Sequence, residues 1–259
     1  MNFPIDFYIG GLVIDSHLVF EILAFVLGFQ YYLYLRNPTI DKITTEQRFW
    51  IITSGALGAA IFSKALGFVE HPELISLSQQ SFVYFFVSKT IVGGLLGGIL
   101  GVELTKKLLG VKHSSGDLFC FPLILGMIVG RIGCFLSGIE DGTYGLPTHF
   151  WFGMDLGDGI TRHPTALYEI LVLIGIWLFL LGVQKKWVLV EGRLFQLFMI
   201  SYLSWRFGIE FLKPVYQYEP FGLSAIQMAC LAGLIYYFMI WAIGNNQSTS
   251  KSKGLDSKA

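Results

Sequence analysis

The stretch "LFCFPLILGMIVGRIGCFLSG", residues 118–138, decides the fold class of this chain. Its first twelve residues carry no charge, and they continue without a break into Arg131, which stands between Gly130 and Gly133. About 20 mainly apolar residues are enough to cross the ~30 Å hydrocarbon core of a bilayer as a helix. The stretch therefore predicts a membrane helix that ends in a charge and several glycines.

The composition of the whole chain supports a membrane protein. Of 259 residues, 54% are hydrophobic and 14% are charged, whereas soluble domains carry about 25% charged residues. The net charge of zero argues against nucleic acid as a partner. Cys120, Cys134 and Cys230 all fall in apolar segments and form no CxxC pair, so we expect neither a disulfide framework nor a metal site.

Seven apolar stretches are long enough, or nearly so, to span a membrane. Spanning segments must be helices or closed barrels, and these stretches lack the alternation of barrel strands. We expect an all-α integral membrane protein, a bundle of seven transmembrane helices forming one domain over residues 1–244. The polar residues 245–259 are expected to be a disordered tail. The predicted spans are 18–36, 49–69, 83–104, 118–138, 165–184, 194–212 and 223–244.

The basic residues predict the orientation of the bundle. Twelve of them follow the first, third, fifth and seventh predicted helices, and only Arg162 and Lys213 lie on the other side. Positive charges collect on the cytoplasmic side of membrane proteins. The N-terminus is therefore expected outside, the C-terminus in the cytoplasm, and residues 139–164 outside.

Within the predicted spans, the four remaining basic residues are joined by two acids at a similar depth, which makes a group of six charges. Counting 1.5 Å per residue along each helix places all of them in the outer third of the bilayer. Isolated charges are costly there, so they are expected to share a hydrated cavity. For Lys64 and Lys89, reaching out to the lipid headgroups is an alternative. The six residues are Glu21, Lys64, Lys89, Arg131, Arg206 and Glu210.

Two neighbouring arginines in the outer leaflet suit the phosphate of a phospholipid. The planar guanidinium of Arg131 or Arg206 can bind two phosphate oxygens at once. The glycines around Arg131 allow a close backbone approach, although helix packing explains them equally well. The glycine-rich "VGGLLGGILG", residues 92–101, is interpreted as a packing surface.

The segment "SYLSWRFGIEF", residues 201–211, places Tyr202, Arg206 and Glu210 four residues apart, on one helix face. Two interpretations remain open. In the first, Glu210 orients a phosphate-binding Arg206, and Tyr202 is a hydrogen-bond donor one turn away. Alternatively, Arg206 and Glu210 form a buried ion pair that only neutralises itself.

A second polar segment, "RHPTALYE", covers residues 162–169 at the outer start of the fifth predicted helix. Glu169 suits the positive N-terminal end of that helix. His163 is a candidate general base near neutral pH, and a merely solvated histidine is the alternative.

Three motifs, "GRIGCFLSG", "RHPTALYE" and "YLSWRFGIEFLKP", occur in this order, and together they resemble the prolipoprotein diacylglyceryl transferase family over residues 18–244. The resemblance implies transfer of a diacylglyceryl group from phosphatidylglycerol to the lipobox cysteine of a preprolipoprotein. A thioether forms and glycerol phosphate leaves, with no metal or nucleotide cofactor. It also implies a multi-pass protein of the bacterial inner membrane, with its active site facing the periplasmic leaflet.

The resemblance also assigns roles to residues of this chain. Arg131 matches the signature arginine of the family, and Arg206 matches the essential arginine of its sixth helix. The expected catalytic residues are Arg131, Arg206, His163, Glu140 and Glu210. The expected substrate-binding residues are Arg131, Arg206, Tyr202, Gly130, Gly133, Gly142, Lys64 and Lys89.

The chain departs from the family pattern at four positions, which indicates a divergent member. Cys134 stands where the signature has asparagine, Val92 replaces a histidine, and Glu21 and Lys64 replace a tyrosine and an arginine. The loss of the histidine leaves His163 or Glu140 as the base. Two rival functions follow: a transferase of the same fold with another acceptor, and a non-catalytic phospholipid-binding or phospholipid-transport protein.

Overall fold

The computed structural model describes residues 3–75 and 79–256 of the chain, and α-helices dominate them. The helices are α1 Ser16–Leu35, α2 Thr45–Val69, α3 Gln79–Val87, α4 Ile91–Leu108, α5 Cys120–Ser137, α6 Thr165–Lys186, α7 Arg193–Ile209 and α8 Ala225–Asp256. Single 3₁₀ turns extend α5 over Gly138–Asp141 and α7 over Glu210–Leu212. Two further 3₁₀ turns cover Pro72–Leu74 and Asp117–Phe119.

Two small antiparallel hairpins lie outside the helices. Strands β1, Phe7–Ile9, and β2, Leu12–Ile14, precede α1. Strands β3, Met154–Asp155, and β4, Thr161–Arg162, fold the segment between α5 and α6. The second hairpin lies in the segment predicted to be outside the membrane, so short β-structure accompanies a helical membrane domain.

Within the part of the chain that the structure describes, five segments are long and apolar enough to cross a membrane: Ser16–Leu35, Thr45–Val69, Asp117–Asp141, Thr165–Lys186 and Ala225–Ala242. The helix pair Ser81–Val87 and Ile91–Leu108 makes a sixth if it is taken as one bent span. The prediction of an all-α, multi-pass membrane protein is therefore confirmed. α7 is shorter, with 17 residues, so the count of seven spans stays a prediction.

The prediction of one helix over residues 83–104 was wrong, because α3 and α4 meet at a bend of 77°. Side chains of α2 stabilise the break. Ser63 Oγ donates to the Thr90 carbonyl at 2.8 Å and accepts from the Thr90 amide at 2.9 Å. Thr90 Oγ1 in turn caps α4 by accepting from the Gly93 amide. No proline or glycine marks this break in the sequence.

Glycines bring α4 into direct backbone contact with α2, as predicted for residues 92–101. A Cβ atom on Gly97 would overlap the Gly58 carbonyl oxygen and Phe62 Cβ, and one on Gly101 would overlap the Ser54 carbonyl oxygen. Small residues allow membrane helices to approach this closely.

Glycines also fix α1 against α5. A Cβ atom on Gly133 would lie 2.8 Å from Phe20 Cβ and 3.3 Å from His17 Cα. One on Gly126 would lie 3.2 Å from the Ala24 carbonyl oxygen. This close packing brings the first turn of α1 to the end of α5 that carries Arg131.

The apolar core lies among α5, α6, α7 and α8. Phe198, Met199 and Leu203 of α7 are fully buried against Leu173 and Leu180 of α6. Despite its short length, α7 is therefore a central helix, and polar side chains near its C-terminal end are enclosed by neighbouring helices.

The structure continues α8 to Asp256, through most of the segment that was expected to be a disordered tail, residues 245–259. Residues 257–259 lie outside the described residues. The division of the chain at residue 244 stays a prediction.

Candidate functional site

Arg131, near the end of α5, forms an ion pair with Glu169 of α6. Arg131 Nε lies 2.9 Å from Glu169 Oε2, and both side chains are less than a tenth exposed. A buried ion pair must offset the cost of removing two charges from water, and losing one partner leaves an uncompensated charge. Each residue therefore depends on the other for its stability inside the bundle.

Tyr202 of α7 binds the other oxygen of the same carboxylate. Its hydroxyl donates to Glu169 Oε1 at 2.8 Å, and Tyr202 is fully buried. Glu169 therefore joins α5 and α7 through contacts with Arg131 and Tyr202. From the sequence, Glu169 was expected only to complement the helix dipole, although an acid inside an apolar helix indicates a polar partner.

Arg206 and Glu210 form the ion pair that their spacing predicted. Arg206 Nη1 lies 2.7 Å from Glu210 Oε2, and both residues are buried. Arg206 is also close enough to Glu169, Tyr202 and Arg131 to interact with them electrostatically. The two arginines that were predicted to share one site are therefore in one buried cluster.

Lys213 adds a third positive charge at the edge of this cluster, just after the 3₁₀ turn Glu210–Leu212. Burial, together with the positive charge of Arg206, lowers the pKa of Lys213 to about 8. From the sequence, Lys213 was expected only to be a basic residue on the outer side of the membrane. Its proximity to the arginines depends on how the chain turns after α7.

A second group of polar side chains lies next to Arg131. Arg131 Nη1 donates to Cys134 Sγ at 3.5 Å. The metal-ligand-type atoms of Cys134, His17 and Asp141 all lie within 4.8 Å of one another. His17 Nδ1 is 2.6 Å from Asp141 Oδ1, and the Thr143 hydroxyl donates to Asp141 Oδ2 at 2.5 Å.

This group extends along α1 to Lys89. His17 Nε2 lies 3.8 Å from Glu21 Oε2, and Lys89 Nζ donates to the same oxygen at 2.6 Å. Lys89 is therefore linked to the cluster through its half-exposed pair with Glu21. Lys64 instead donates to the Phe86 carbonyl oxygen, and no contact with either arginine is found for it among the described residues.

The two candidate bases from the sequence lie apart from these contacts. His163 Nδ1 lies 3.1 Å from the Tyr168 hydroxyl, in the loop before α6. Glu140 is exposed, whereas the next residue, Asp141, turns inward to His17. Sequence reasoning missed both His17 and Asp141, because the contact between them joins α1 to a turn more than 120 residues away.

The three candidate glycines have structural explanations. Gly130 and Gly133 lie on the side of α5 that packs on α1, where a Cβ atom on Gly130 would be 3.9 Å from Ala24 Cβ. Gly142 has a φ of +69°, a left-handed conformation that glycine adopts without strain, and it ends the turn that carries Asp141. These glycines position the polar side chains.

The cluster as a whole is suited to a phosphate group. Arg131, Arg206 and Lys213 supply three positive charges, while Glu169 and Glu210 orient the two arginines. Guanidinium groups fixed in this way bind phosphate oxygens with little loss of side-chain freedom. The thiol of Cys134 lies beside the same arginine.

Comparison with known proteins gives a consistent family match. The family model described as prolipoprotein diacylglyceryl transferase matches residues 4–243. A phosphatidylglycerol–prolipoprotein diacylglyceryl transferase of Paramagnetospirillum magneticum is 28% identical over 228 residues, which are 81% of this chain and 80% of the relative. One of Dehalococcoides mccartyi is 26% identical over 242 residues, 90% of this chain and 88% of the relative.

Proposed function

The chain belongs to the prolipoprotein diacylglyceryl transferase family, and from that premise we propose that it transfers a diacylglyceryl group from phosphatidylglycerol to a prolipoprotein cysteine. The observation that carries this proposal is the pair of buried arginines, Arg131 and Arg206, gathered with Glu169 inside a membrane-spanning bundle. The substrates are a membrane lipid and a prolipoprotein, and the enzyme is a transferase that forms a thioether.

The reaction needs a group that binds phosphate and a group that takes a proton. The cysteine sulfur bonds to the glycerol carbon that bears the phosphate, and the carbon–oxygen bond to the phosphate breaks. Glycerol phosphate leaves with the bonding electrons, while the thiol proton passes to a base. Positive charges fixed next to the leaving phosphate stabilise the charge that develops on it.

We assign the phosphate to Arg131 and Arg206. Glu169 orients Arg131, Glu210 orients Arg206, and Tyr202 fixes Glu169 between the helices. Because these carboxylates are buried with their arginines, the guanidinium planes are held before the lipid arrives. Preorganised charges act at the transition state without first having to rearrange.

The base of this scheme is proposed to be one of the two sequence candidates, His163 or Glu140, and the lysines and glycines of the predicted site fit supporting roles. Lys89, half-exposed beside Glu21, is proposed to attract the anionic lipid at the rim of the site. Lys64 is proposed to act farther out, at the junction of α2 and α3. Gly130, Gly133 and Gly142 are proposed to support substrate binding by fixing the positions of α1 and of the Asp141 turn.

The orientation in the membrane is part of the proposal. Seven spans, with the bent pair α3–α4 counted once and α7 included, put the N-terminus outside and the C-terminus in the cytoplasm. The arginine cluster then opens toward the periplasmic leaflet of the bacterial inner membrane. Residues 1–244 are proposed to form the transferase domain, and 245–259 a cytoplasmic extension.

An assay with labelled phosphatidylglycerol and a lipobox peptide tests the proposed function. We expect thioether product and glycerol phosphate in equal amounts. Release of glycerol phosphate with a different product would indicate another acceptor. Lipid binding without turnover would indicate a non-catalytic protein and would contradict the proposal.

A further inference from the structure

The segment between α5 and α6 carries three aromatic side chains on its surface, Phe150, Trp151 and Phe152. Trp151 is 86% exposed, and Phe150 is half-exposed. The rings pack edge to face on one another, with the centroid of Phe152 lying 4.3 Å from that of Phe150 and 4.7 Å from that of Trp151. Residues 150–153 are called the aromatic turn below. A cluster of large apolar side chains on an exposed turn indicates contact with a membrane or a partner.

Local contacts hold the aromatic turn in one shape. The Gly153 amide donates to the Phe150 carbonyl oxygen at 2.8 Å, and the Phe150 amide donates to Thr148 Oγ1 at 3.1 Å. A Cβ atom on Gly153 would overlap the methyl groups of Thr148 and of Thr161 in β4. The turn is therefore closed against the second hairpin, and its backbone fixes the direction in which the rings project.

The aromatic turn continues the surface by which α6 faces lipid. Phe152 contacts Tyr168 edge to face, with centroids 5.6 Å apart. Tyr168 lies on the same face of α6 as Leu171 and Phe179, three and eleven residues farther along, and both of these are exposed. Because α6 is long and apolar enough to span a membrane, its exposed face is a lipid-facing one. The rings extend that face beyond the start of the helix.

The distribution of charge also suits the membrane surface. Residues 144–154 include no aspartate, glutamate, lysine or arginine. The charged side chains of the hairpin come later, in Asp155, Asp158 and Arg162, and the last two pair at 2.7 Å. Tryptophan and tyrosine collect at the level of the lipid headgroups, where an aromatic ring meets both apolar and polar surroundings. An uncharged turn of exposed rings fits this layer.

The aromatic turn lies at a height similar to that of the proposed phosphate site. Tyr168 and Glu169 are neighbours on α6, where successive residues rise by only about 1.5 Å along the axis. Tyr168 contacts the aromatic turn, whereas Glu169 points inward and pairs with Arg131 at 2.9 Å. One turn of α6 therefore joins the exposed rings on its outer face to the Arg131 pair on its inner face.

We propose that the aromatic turn inserts Phe150 and Trp151 into the headgroup layer of the bilayer and so sets the lipid phosphates level with Arg131. This inference rests on the proposed function and orientation, in which the layer belongs to the periplasmic leaflet. Continuity with a lipid-facing helix favours the bilayer over the prolipoprotein as the partner. The headgroup layer contains water, so a polar neighbour such as His149 remains accessible to it.

The first test locates Trp151 in nanodiscs of phosphatidylcholine and phosphatidylglycerol. Subtracting the fluorescence of Trp151→Phe from that of the wild type isolates the emission of Trp151. We expect this emission to be quenched strongly by lipids brominated close to the headgroup and weakly by acrylamide in the water. Strong quenching by acrylamide, with none by the brominated lipids, would overturn the proposal.

A lipobox peptide added to the same nanodiscs examines the other partner. With the ring in the headgroup layer, the peptide should leave the emission of Trp151 unchanged. Emission that the peptide shifts and the brominated lipids do not quench would assign the aromatic turn to the prolipoprotein and contradict the proposal. Neither measurement requires turnover, so failure of the proposed function, seen as no transfer by the wild type, remains distinguishable from failure of this inference.

The second test compares transfer from phosphatidylglycerol in liposomes with transfer in detergent micelles. Since burying one large apolar side chain is worth roughly tenfold in an equilibrium, Phe150→Ser together with Trp151→Ser should lower kcat/KM in liposomes by about tenfold or more. Micelles adapt to the shape of the protein, so the rate there should not change. Tyrosine also suits the headgroup layer, and Phe150→Tyr with Trp151→Tyr should retain the activity in liposomes.

Ile160→Ser is the matched control, because Ile160 is an exposed apolar residue of the same segment outside the aromatic turn. It should transfer lipid as the wild type does in both systems. The double serine variant should melt at the wild-type temperature in detergent, since both replaced side chains are exposed. An equal loss in liposomes and micelles would indicate a structural defect and overturn the proposal, as would wild-type activity of this variant in liposomes.

Discussion

Arg131 and Tyr202 bind opposite oxygens of one buried carboxylate, that of Glu169, at 2.9 Å and 2.8 Å. The two residues belong to α5 and α7, so Glu169 on α6 connects the helices that carry the two arginines. The carboxylate of Glu169 is therefore the central negative charge of the phosphate site that we propose, and it fixes the positions of Arg131 and Tyr202.

Removing the charge of Glu169 should destabilise the protein more than removing the Tyr202 hydroxyl. Glu169→Gln leaves Arg131 buried without its ion pair, at a cost of about 3–5 kcal/mol. Tyr202→Phe loses one hydrogen bond to a charged group, at about 1.5–3 kcal/mol. Unfolding in detergent should rank the variants in that order, with Tyr168→Phe as a control. Equal stability of Glu169→Gln and the wild type would contradict the ion pair.

Lys213 should make lipid binding depend on pH. With a pKa of about 8 in the folded protein, it loses its charge as the pH rises from 7 to 9, and affinity for phosphatidylglycerol should fall. Folding disfavours the charged form of Lys213. Between about pH 8 and the ordinary lysine pKa, the folded protein has lost this proton while the unfolded chain keeps it, so the free energy of unfolding should rise with pH.

Titration of phosphatidylglycerol binding at pH 7 and pH 9 measures this effect. Lys213→Met should bind more weakly at pH 7 and lose most of the difference between the two pH values. Lys107→Met, at the far end of α4, should behave as the wild type does. A wild-type affinity that does not change from pH 7 to pH 9 would refute the role of Lys213.

Two adjacent glycines of α4 should respond oppositely to alanine. A Cβ atom on Gly97 meets the backbone of α2 and Phe62, whereas one on Gly98 makes ordinary contacts at 3.5–3.6 Å. Gly97→Ala should lower the melting temperature and the yield. Gly98→Ala should be neutral or stabilising by up to about 1 kcal/mol, the gain in helix propensity. Similar melting temperatures for both variants would contradict the α2–α4 packing.

The proposed orientation predicts which side of the membrane each loop faces. His149→Cys, between α5 and α6, should react with a membrane-impermeant maleimide added outside intact cells. Glu46→Cys, at the start of α2, should react only after the inner membrane is opened. Labelling of the wild type measures the background reaction of the native cysteines. The reverse labelling pattern would overturn the orientation and the periplasmic opening of the site.

Local contacts of the site could be predicted from the sequence. Arg206 and Glu210 are four residues apart on consecutive turns, so their pairing follows from helix geometry. The glycines of α4 likewise predicted that this helix packs closely on a neighbouring helix. Both inferences depend on neighbours along the chain, and the structure confirms both contacts.

Contacts between distant parts of the chain could not be predicted in the same way. Two adjacent acids, Glu140 and Asp141, follow α5, and only the 3₁₀ turn between Gly138 and Gly142 decides that Asp141 faces inward. The break before α4 depends on Ser63 of another helix. In both cases a tertiary contact, absent from the local pattern, decides the outcome.

The most direct test of the account is transfer from labelled phosphatidylglycerol to a lipobox peptide by Arg131→Ala and Arg206→Ala. Both variants should insert into the membrane, yet each should lose at least 100-fold in rate, as expected when a charge aimed at the leaving group is removed. Arg162→Ala removes an arginine of the segment between α5 and α6, where it pairs with Asp158, and this variant should retain activity. Wild-type rates from both Arg131→Ala and Arg206→Ala would contradict the account.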